Sequence, residues 1–298
     1  MIRSIAVIGV GAMGAPIARR LRAAGYALTV CDRHGAAVAA LAAEGANVAP
    51  SAADCAAADL ALILVATAQQ VREVIIGTQG LMAGVAAGLC AGRSPIVVVM
   101  STVSAEVLDE VARQLPAEVT MIDAPVSGGT RGAEQGSLTM LTGGDEAAIE
   151  RVAPVLDQLA SQRIHCGRLG AAQTMKILNN ALGQSIAVIA GEVYRLAIER
   201  GLDTALLSRV LEACSGRNAR SKNPAGPQAG YGDLAKDPAT FEGIAAIFRK
   251  DIGLAGEMAS RTPGEYPAIR RLEALIASLG PETYGTWRRI AEAPSTKA

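Results

Sequence analysis

Gln173, Lys176 and Asn180 stand three and four residues apart, the spacing that stacks side chains on one face of a helix. On that polar face the ammonium is the group that could hand a proton to a bound oxygen atom. The neighbours Met175, Ile177, Leu178, Ala181 and Leu182 predict a helix buried over most of its circumference. Positions 172, 173, 179 and 180 are Ala, Gln, Asn and Asn, so no acid lies three or four residues from Lys176 along the helix. No Asp or Glu occurs between Asp157 and Glu192. An ammonium in apolar surroundings is expensive unless something requires it. One reading is a lysine whose stem lies along the interior while its head reaches water. The other is a proton donor beside a bound substrate.

Such a donor needs a partner reaction, and the N-terminus supplies a candidate. The β-rich run Ser4–Ile8 leads directly into Gly9-Val10-Gly11-Ala12-Met13-Gly14, and Ala15–Ala24 has helical spacing of Ile17, Leu21 and Ala24. A second strand, Ala27–Cys31, ends at Asp32. That strand–turn–helix–strand context is what gives a G-x-G-x-x-G motif its meaning. Gly9 permits the tight turn, Gly11 lets backbone approach a pyrophosphate, and Gly14 allows close helix–strand packing. The helix N-terminus faces the phosphates with its partial positive charge. Asp32 would accept hydrogen bonds from the adenosine ribose and repel a 2′-phosphate, which favours NAD. Arg33 and His34 could instead receive that phosphate, so NADP stays open.

Continuous apolar runs at Leu60–Val65 and Pro95–Met100 predict parallel strands covered on both faces. Each ends in a polar segment, Ala66–Gln69 and Ser101–Ser104, where open α/β sheets bind ligands. Thr67 and Thr102 are the cofactor-contact candidates there, Thr102 also for substrate; Ser104 serves equally well as an N-cap for the following helix. After a strand at Val119–Ile122 comes Asp123-Ala-Pro-Val-Ser-Gly-Gly129. Ser127 with the Gly128 and Gly129 amides could form a small nest for a carboxylate, although a plain glycine turn explains the same letters. Ser137–Leu141 and the Gly143-Gly144 turn continue the sheet, and a helix over Ala147–Leu159 closes the domain.

From Gly170 onward no period-two alternation is evident. A long helix from Ala172 to about Glu199 precedes helices near Thr204–Cys214, Pro238–Ala259 and Pro267–Leu279, while residues 215–236 read as a loop or an irregular helix pair. The expected fold is therefore an α/β dinucleotide-binding Rossmann domain, doubly wound and mostly parallel, over 1–168. An all-α domain for substrate and oligomerisation fills 169–298, entered through the long helix.

Composition narrows the function classes. Lys+Arg and Asp+Glu are both 28, giving no global pull toward nucleic acid or an anionic membrane. Half of the 298 residues are hydrophobic but only 3% aromatic, so Ala, Val, Ile and Leu build the core. Cys31, Cys55, Cys90, Cys166 and Cys214 are widely spaced, without a C-x-x-C pair, and read as small buried hydrophobes of a reducing compartment. His34 and His165 form no metal-ligand pattern, so no metal is expected. The uncharged stretch Val74–Gly92 is broken by glycines and is no membrane span. With no signal peptide ahead of the first strand, the cytoplasm is the expected location.

These motifs, in this order, resemble the β-hydroxyacid dehydrogenases, the family of 3-hydroxyisobutyrate dehydrogenase, tartronate semialdehyde reductase and 6-phosphogluconate dehydrogenase. The resemblance rests on Ile8–Gly14, Asp123–Gly129, Gly170–Asn180 and Lys250-Asp251 after Phe248. It implies Gly9, Gly11, Ala12, Met13 and Gly14 at the dinucleotide, Lys176 as general acid and base, and Asn180 holding the substrate. It further implies Ser127, Gly128 and Gly129 on the substrate carboxylate, with Thr102 and Lys250 near the nicotinamide. The activity implied is interconversion of a small 3-hydroxy acid or sugar acid and its semialdehyde or keto acid, by a homodimer or homotetramer. Ala172 departs from the pattern, since many members have a second glycine there. Imine reductases and reductive aminases share this architecture but usually lack the lysine. A non-catalytic dinucleotide-binding module would keep the glycines without needing Lys176 and Asn180 together.

Overall fold

A computed structural model describes residues 2–90, 95–222 and 226–293, in two compact units, Met1–Lys176 and Ile177–Ala298. The first unit is built on six parallel strands: β1 (Ser4–Ile8), β2 (Ala27–Cys31), β3 (Asn47–Val48), β4 (Leu60–Ile63), β5 (Ile96–Val99) and β6 (Thr120–Asp123). They lie in the order β3-β2-β1-β4-β5-β6, which puts the reversal of strand order at β1 and β4. Alternate residues of the apolar runs serve opposite faces. Ile5, Val7, Leu60, Leu62, Ile96 and Val98 enter one core; Ala6, Ile8, Ala61, Ile63, Val97 and Val99 enter the other. This two-sided burial explains why these strands carry no polar alternation.

Helices α1 (Gly14–Ala23), α2 (Gly35–Ala43), α3 (Ala68–Ile76), α4 (Leu81–Ala86) and α5 (Ala105–Ala112) connect the strands, with a 3-10 turn at Ala53–Ala57. The uncharged stretch from Val74 thus holds the end of α3 and all of α4; its residues 91 and 92 lie outside the described ones. The chain then departs from expectation. Residues 137–141 do not extend the large sheet. β7 (Val126–Ser127), β8 (Leu138–Thr142) and β9 (Ala160–His165) form a separate three-stranded sheet, with α6 (Gly129–Gln135) and α7 (Glu146–Leu156) between them. β9 was not foreseen, because Ala-Ser-Gln-Arg-Ile-His has little apolar character and its side chains are mostly exposed.

The long helix is α8 (Ala171–Glu199), and the border between the units falls inside it. It is long and apolar enough to cross a membrane by length and composition, at a mean hydropathy of 1.2, and half of that window is buried. Its circumference is not buried as its sequence suggested: Leu178, Leu182, Ile189, Val193 and Leu196 are exposed. α9 (Thr204–Ala213), α10 (Gln228–Leu234), α11 (Pro238–Arg261), α12 (Pro267–Ala277) and α13 (Pro281–Glu292) complete the second unit. α13 escaped the sequence reading, yet its Trp287 is the centre of the helical core. It packs against Phe241 at 5.5 Å and Tyr231 at 5.8 Å between ring centroids. The scarce aromatics are concentrated here, and residues 215–236 contribute one of them, with 223–225 outside the described residues. Tyr231 is fully buried and donates its hydroxyl to the Ala187 carbonyl at 2.8 Å.

Candidate active site

Backbone hydrogen bonds position the glycine turn at the end of β1. Gly9 adopts φ +95° and donates its N–H to the Cys31 carbonyl at 2.8 Å, while Val10 N–H reaches Asp32 Oδ2 at 2.7 Å. Asp32 Oδ1 takes the His34 N–H at 2.9 Å. The carboxylate therefore fixes the turns at the ends of both β1 and β2. The three glycines have separable duties. A Cβ on Gly14 would stand 1.9 Å from the Gly9 carbonyl oxygen, and one on Gly9 2.5 Å from the Leu64 oxygen. One on Gly11 would meet nothing within 4 Å. Gly9 and Gly14 are required by the fold; the space at Gly11 is what a closely approaching ligand would use.

Gly9, Gly11, Asp32, Arg33 and His34 line one cavity of about 610 Å³, large enough for part of a dinucleotide. Ala12 lines a different hollow with Thr130, and Met13 occupies the N-cap of α1 without a side-chain cap bond. Thr67 is a helix cap. Its hydroxyl accepts from Gln70 N–H at 3.2 Å, and Gln70 Oε1 accepts from Thr67 N–H at 3.1 Å, a reciprocal box that starts α3. Its neighbours Ala66 and Gln70 line the cavity. Ser104 sits at the N-cap of α5 but makes no side-chain cap bond.

The first turn of α8 is clamped to the strand ends by two side chains that sequence reasoning left aside as functional groups. Asp123, fully buried at the end of β6, accepts Gly170 N–H on Oδ1 and Gln173 N–H on Oδ2, each at 2.9 Å. Burial pushes its carboxyl above the usual range, and those two amides pull it back. The Gln173 carboxamide accepts Val103 N–H at 3.2 Å and donates to the Ser101 carbonyl at 2.8 Å. One amide thus brackets Thr102 from both sides, while Ser101 Oγ anchors the segment to the Val65 carbonyl at 2.7 Å. Lys176, one turn beyond Gln173, is 7% exposed. Gly170 bends the chain into the helix at φ +84°. Ala172 already lies within helical backbone, so this geometry needs no second glycine there.

Ser127 ends β7 with its side chain exposed, and Gly128 and Gly129 follow at φ +126° and +63°. Only glycine holds such angles without strain, so the pair fixes where these amides point.

In the second unit, Asp251 is the organising group. It is 2% exposed in α11, and its Oδ2 accepts from Asn180 Nδ2 at 2.7 Å and Gln184 Nε2 at 2.9 Å. Lys250 Nζ lies 3.0 Å from Oδ1. A carboxylate can only accept, so it turns the NH₂ end of both amides toward itself. Asn180 Oδ1 faces away, accepting from Asn179 Nδ2 at 3.2 Å. The candidates Asn180 and Lys250 are thereby joined through a residue quoted in the sequence motif but given no role there. The i, i+4 pairing of Asn180 with Gln184 was the available signal. Among the described residues, no group of three or more His, Cys, Asp or Glu side chains could hold a metal.

Residues 4–167 match the family described as the NAD binding domain of 6-phosphogluconate dehydrogenase. Residues 170–288 match that described as NAD-binding of NADP-dependent 3-hydroxyisobutyrate dehydrogenase. The chain is 34% identical over 272 residues to NAD-dependent L-serine dehydrogenase of Pseudomonas aeruginosa, covering 89% of this chain and 88% of the other. This chain belongs to the β-hydroxyacid dehydrogenase family. To 3-hydroxyisobutyrate dehydrogenase of the same organism it is 35% identical over 258 residues, 84% and 83% of the two chains. A solved structure of 3-hydroxyisobutyrate dehydrogenase from Mycobacterium tuberculosis with L-serine is 30% identical, with a TM-score of 0.78 over 93% of both chains. As a β-hydroxyacid dehydrogenase, the protein is an oxidoreductase that uses a nicotinamide dinucleotide and acts on a hydroxy acid.

Proposed function

We propose that this chain interconverts a small 3-hydroxy acid or sugar acid and its semialdehyde or keto acid, with Lys176 as the general acid and base. The observation that carries this reading is the burial of Lys176 on a helix turn fixed by Asp123 and Gln173. Bound nicotinamide supplies or removes the hydride. In reduction, Lys176 Nζ gives a proton to the forming alkoxide; in oxidation its neutral form takes the hydroxyl proton. Ser127 with the Gly128 and Gly129 amides holds the substrate carboxylate, and Asn180 accepts from its hydroxyl. Thr102 and Lys250 act at the nicotinamide end. Gly9, Gly11, Ala12, Met13, Gly14, Arg33 and Thr67 surround the rest of the cofactor. Asp32 receives the ribose diol, which favours NAD over NADP. Residues 1–168 carry the dinucleotide, and 169–298 serve substrate and assembly.

The exposed apolar stripe of α8, together with exposed Leu206 and Val210 on α9, supports a homodimer or homotetramer. Light scattering that reads a monomer would remove that assignment. The five reduced thiols support work in the cytoplasm.

A panel of short 3-hydroxy acids and sugar acids with NAD and NADP, followed by absorbance, tests substrate and cofactor together. Lys176→Ala should bind NADH but lose turnover by about 10²-fold or more. Lys176→Arg should not rescue it, because a guanidinium is no base at accessible pH. The rise of oxidation rate with pH should disappear in both variants. Near-normal turnover in Lys176→Ala would end this mechanism.

A further inference from the structure

Cys31 closes β2 with its side chain on the side of the Cys55 layer, and it also lines the cavity that holds Gly9, Gly11 and Asp32. Cys55 sits in the 3-10 turn beneath it, 1% exposed, in the same apolar layer. The backbones of β2 and this turn come within 8 Å. The two thiols share that apolar layer, and their mutual interaction is the largest influence on both. It holds Cys31 below the usual thiol range and pushes Cys55 up. The Asp32 and Asp54 carboxylates oppose the Cys31 effect, as does burial. One sulfur is thus the readier nucleophile and open to the cavity; the other is sealed beneath it. Cys31 is also mechanically placed, since its carbonyl holds Gly9 N–H at 2.8 Å and the next residue holds Val10 N–H.

We propose that Cys31 and Cys55 are a peroxide-oxidised dithiol that closes to a disulfide and loosens the dinucleotide turn. The Cys31 thiolate attacks a peroxide oxygen, the O–O bond breaks, and hydroxide leaves a sulfenic acid on Cys31. The Cys55 sulfur then attacks that sulfur, the S–O bond breaks, and hydroxide departs as water with the Cys55 proton. Two thiols lose two electrons and one hydrogen peroxide becomes two waters. Bringing the sulfurs to the ~2.0 Å of a disulfide pulls the end of β2 toward the 3-10 turn, against the hydrogen bonds that seat Gly9 and Val10. The effect on cofactor rests on the dinucleotide occupying this cavity.

The test treats the full-length protein with hydrogen peroxide, maps peptides without reduction, and follows NADH fluorescence. Reduced protein must first bind NADH; failure there would remove the cavity assignment and not the thiol chemistry. The expected result is a Cys31–Cys55 linked peptide, a loss of NADH affinity of about tenfold or more, and recovery with dithiothreitol. Prior saturation with NADH should slow the linkage. Cys55→Ser, which changes no cavity-lining residue, should bind NADH normally, form no linked peptide, and give with peroxide a dimedone-trappable Cys31. Absence of the linked peptide in the wild type, or a linked protein with unchanged NADH affinity, would overturn the proposal.

Discussion

Two buried aspartates organise this protein in opposite ways. Asp123 satisfies itself with backbone, taking two amide N–H groups from the start of α8. Asp251 satisfies itself with side chains, gathering Asn180, Gln184 and Lys250. The first arrangement is rigid by construction, because backbone amides at a helix start have little freedom and the helix dipole favours an anion there. The second is tunable, because its partners are rotatable and each could be exchanged without rebuilding the chain. The α/β unit thus sets positions through its backbone, while the helical unit orients side chains through a buried charge.

That contrast predicts unequal damage, the largest at Asp251. Asp251→Ala leaves Lys250 and two amides facing an empty site, and breaking such a buried charge group costs roughly 3–5 kcal/mol. Chemical denaturation should show it. Asp251→Asn should fold, and its amide oxygen can still accept from both carboxamides, but its neutral NH₂ then faces Lys250 and no longer balances that charge. Its kcat/KM should fall about tenfold, 1.4 kcal/mol, mainly through KM, with NADH affinity kept. Unchanged KM in a folded Asp251→Asn would mean that the charge supports the helices alone.

The same contrast explains what could be read from letters. The parallel strands, the glycine turn, Asp32 and the long helix were legible because each obeys a local rule: an apolar run, a tight turn, a helical period. Gln173 and Lys176 were seen as one face, but the clamp on Ser101 and Val103 spans about seventy residues of sequence. No local pattern encodes it. β9 and α13 were missed for related reasons. One is mostly exposed, and the other owes its importance to Trp287 meeting Phe241 and Tyr231 in space. The helix face at Leu178, Leu182 and Ile189 misled because apolar periodicity announces burial without naming the partner.

Within the α/β unit the comparison sharpens to single glycines. Gly14→Ala drives a Cβ to 1.9 Å from the Gly9 oxygen, so the turn must shift. Overpacking of this kind costs about 1–3 kcal/mol, and thermal unfolding should register it together with lost NADH binding. Gly11→Ala meets nothing within 4 Å and should melt like the parent while still weakening NADH. Equal melting temperatures for both variants would show that the turn yields more easily than its contacts imply.

The smallest effect belongs to Asp123. Because burial raises its folded value, the folded state holds this proton more tightly than the unfolded chain does. Its contribution to stability is full below about pH 3.9, the unfolded value, and is lost as pH rises through the raised folded value. Asp123→Asn has no such titration. The melting temperature of the parent minus that of Asp123→Asn should therefore shrink as pH rises from about 4 to 7. The neutral amide escapes the cost of burying a charge but offers only one acceptor oxygen to the Gly170 and Gln173 amides. The residual difference at neutral pH is thus the backbone clamp less the cost of burying the charge. A difference that grows with pH would mean that the two amides outweigh burial, and that Asp123 holds α8 chiefly as an anion.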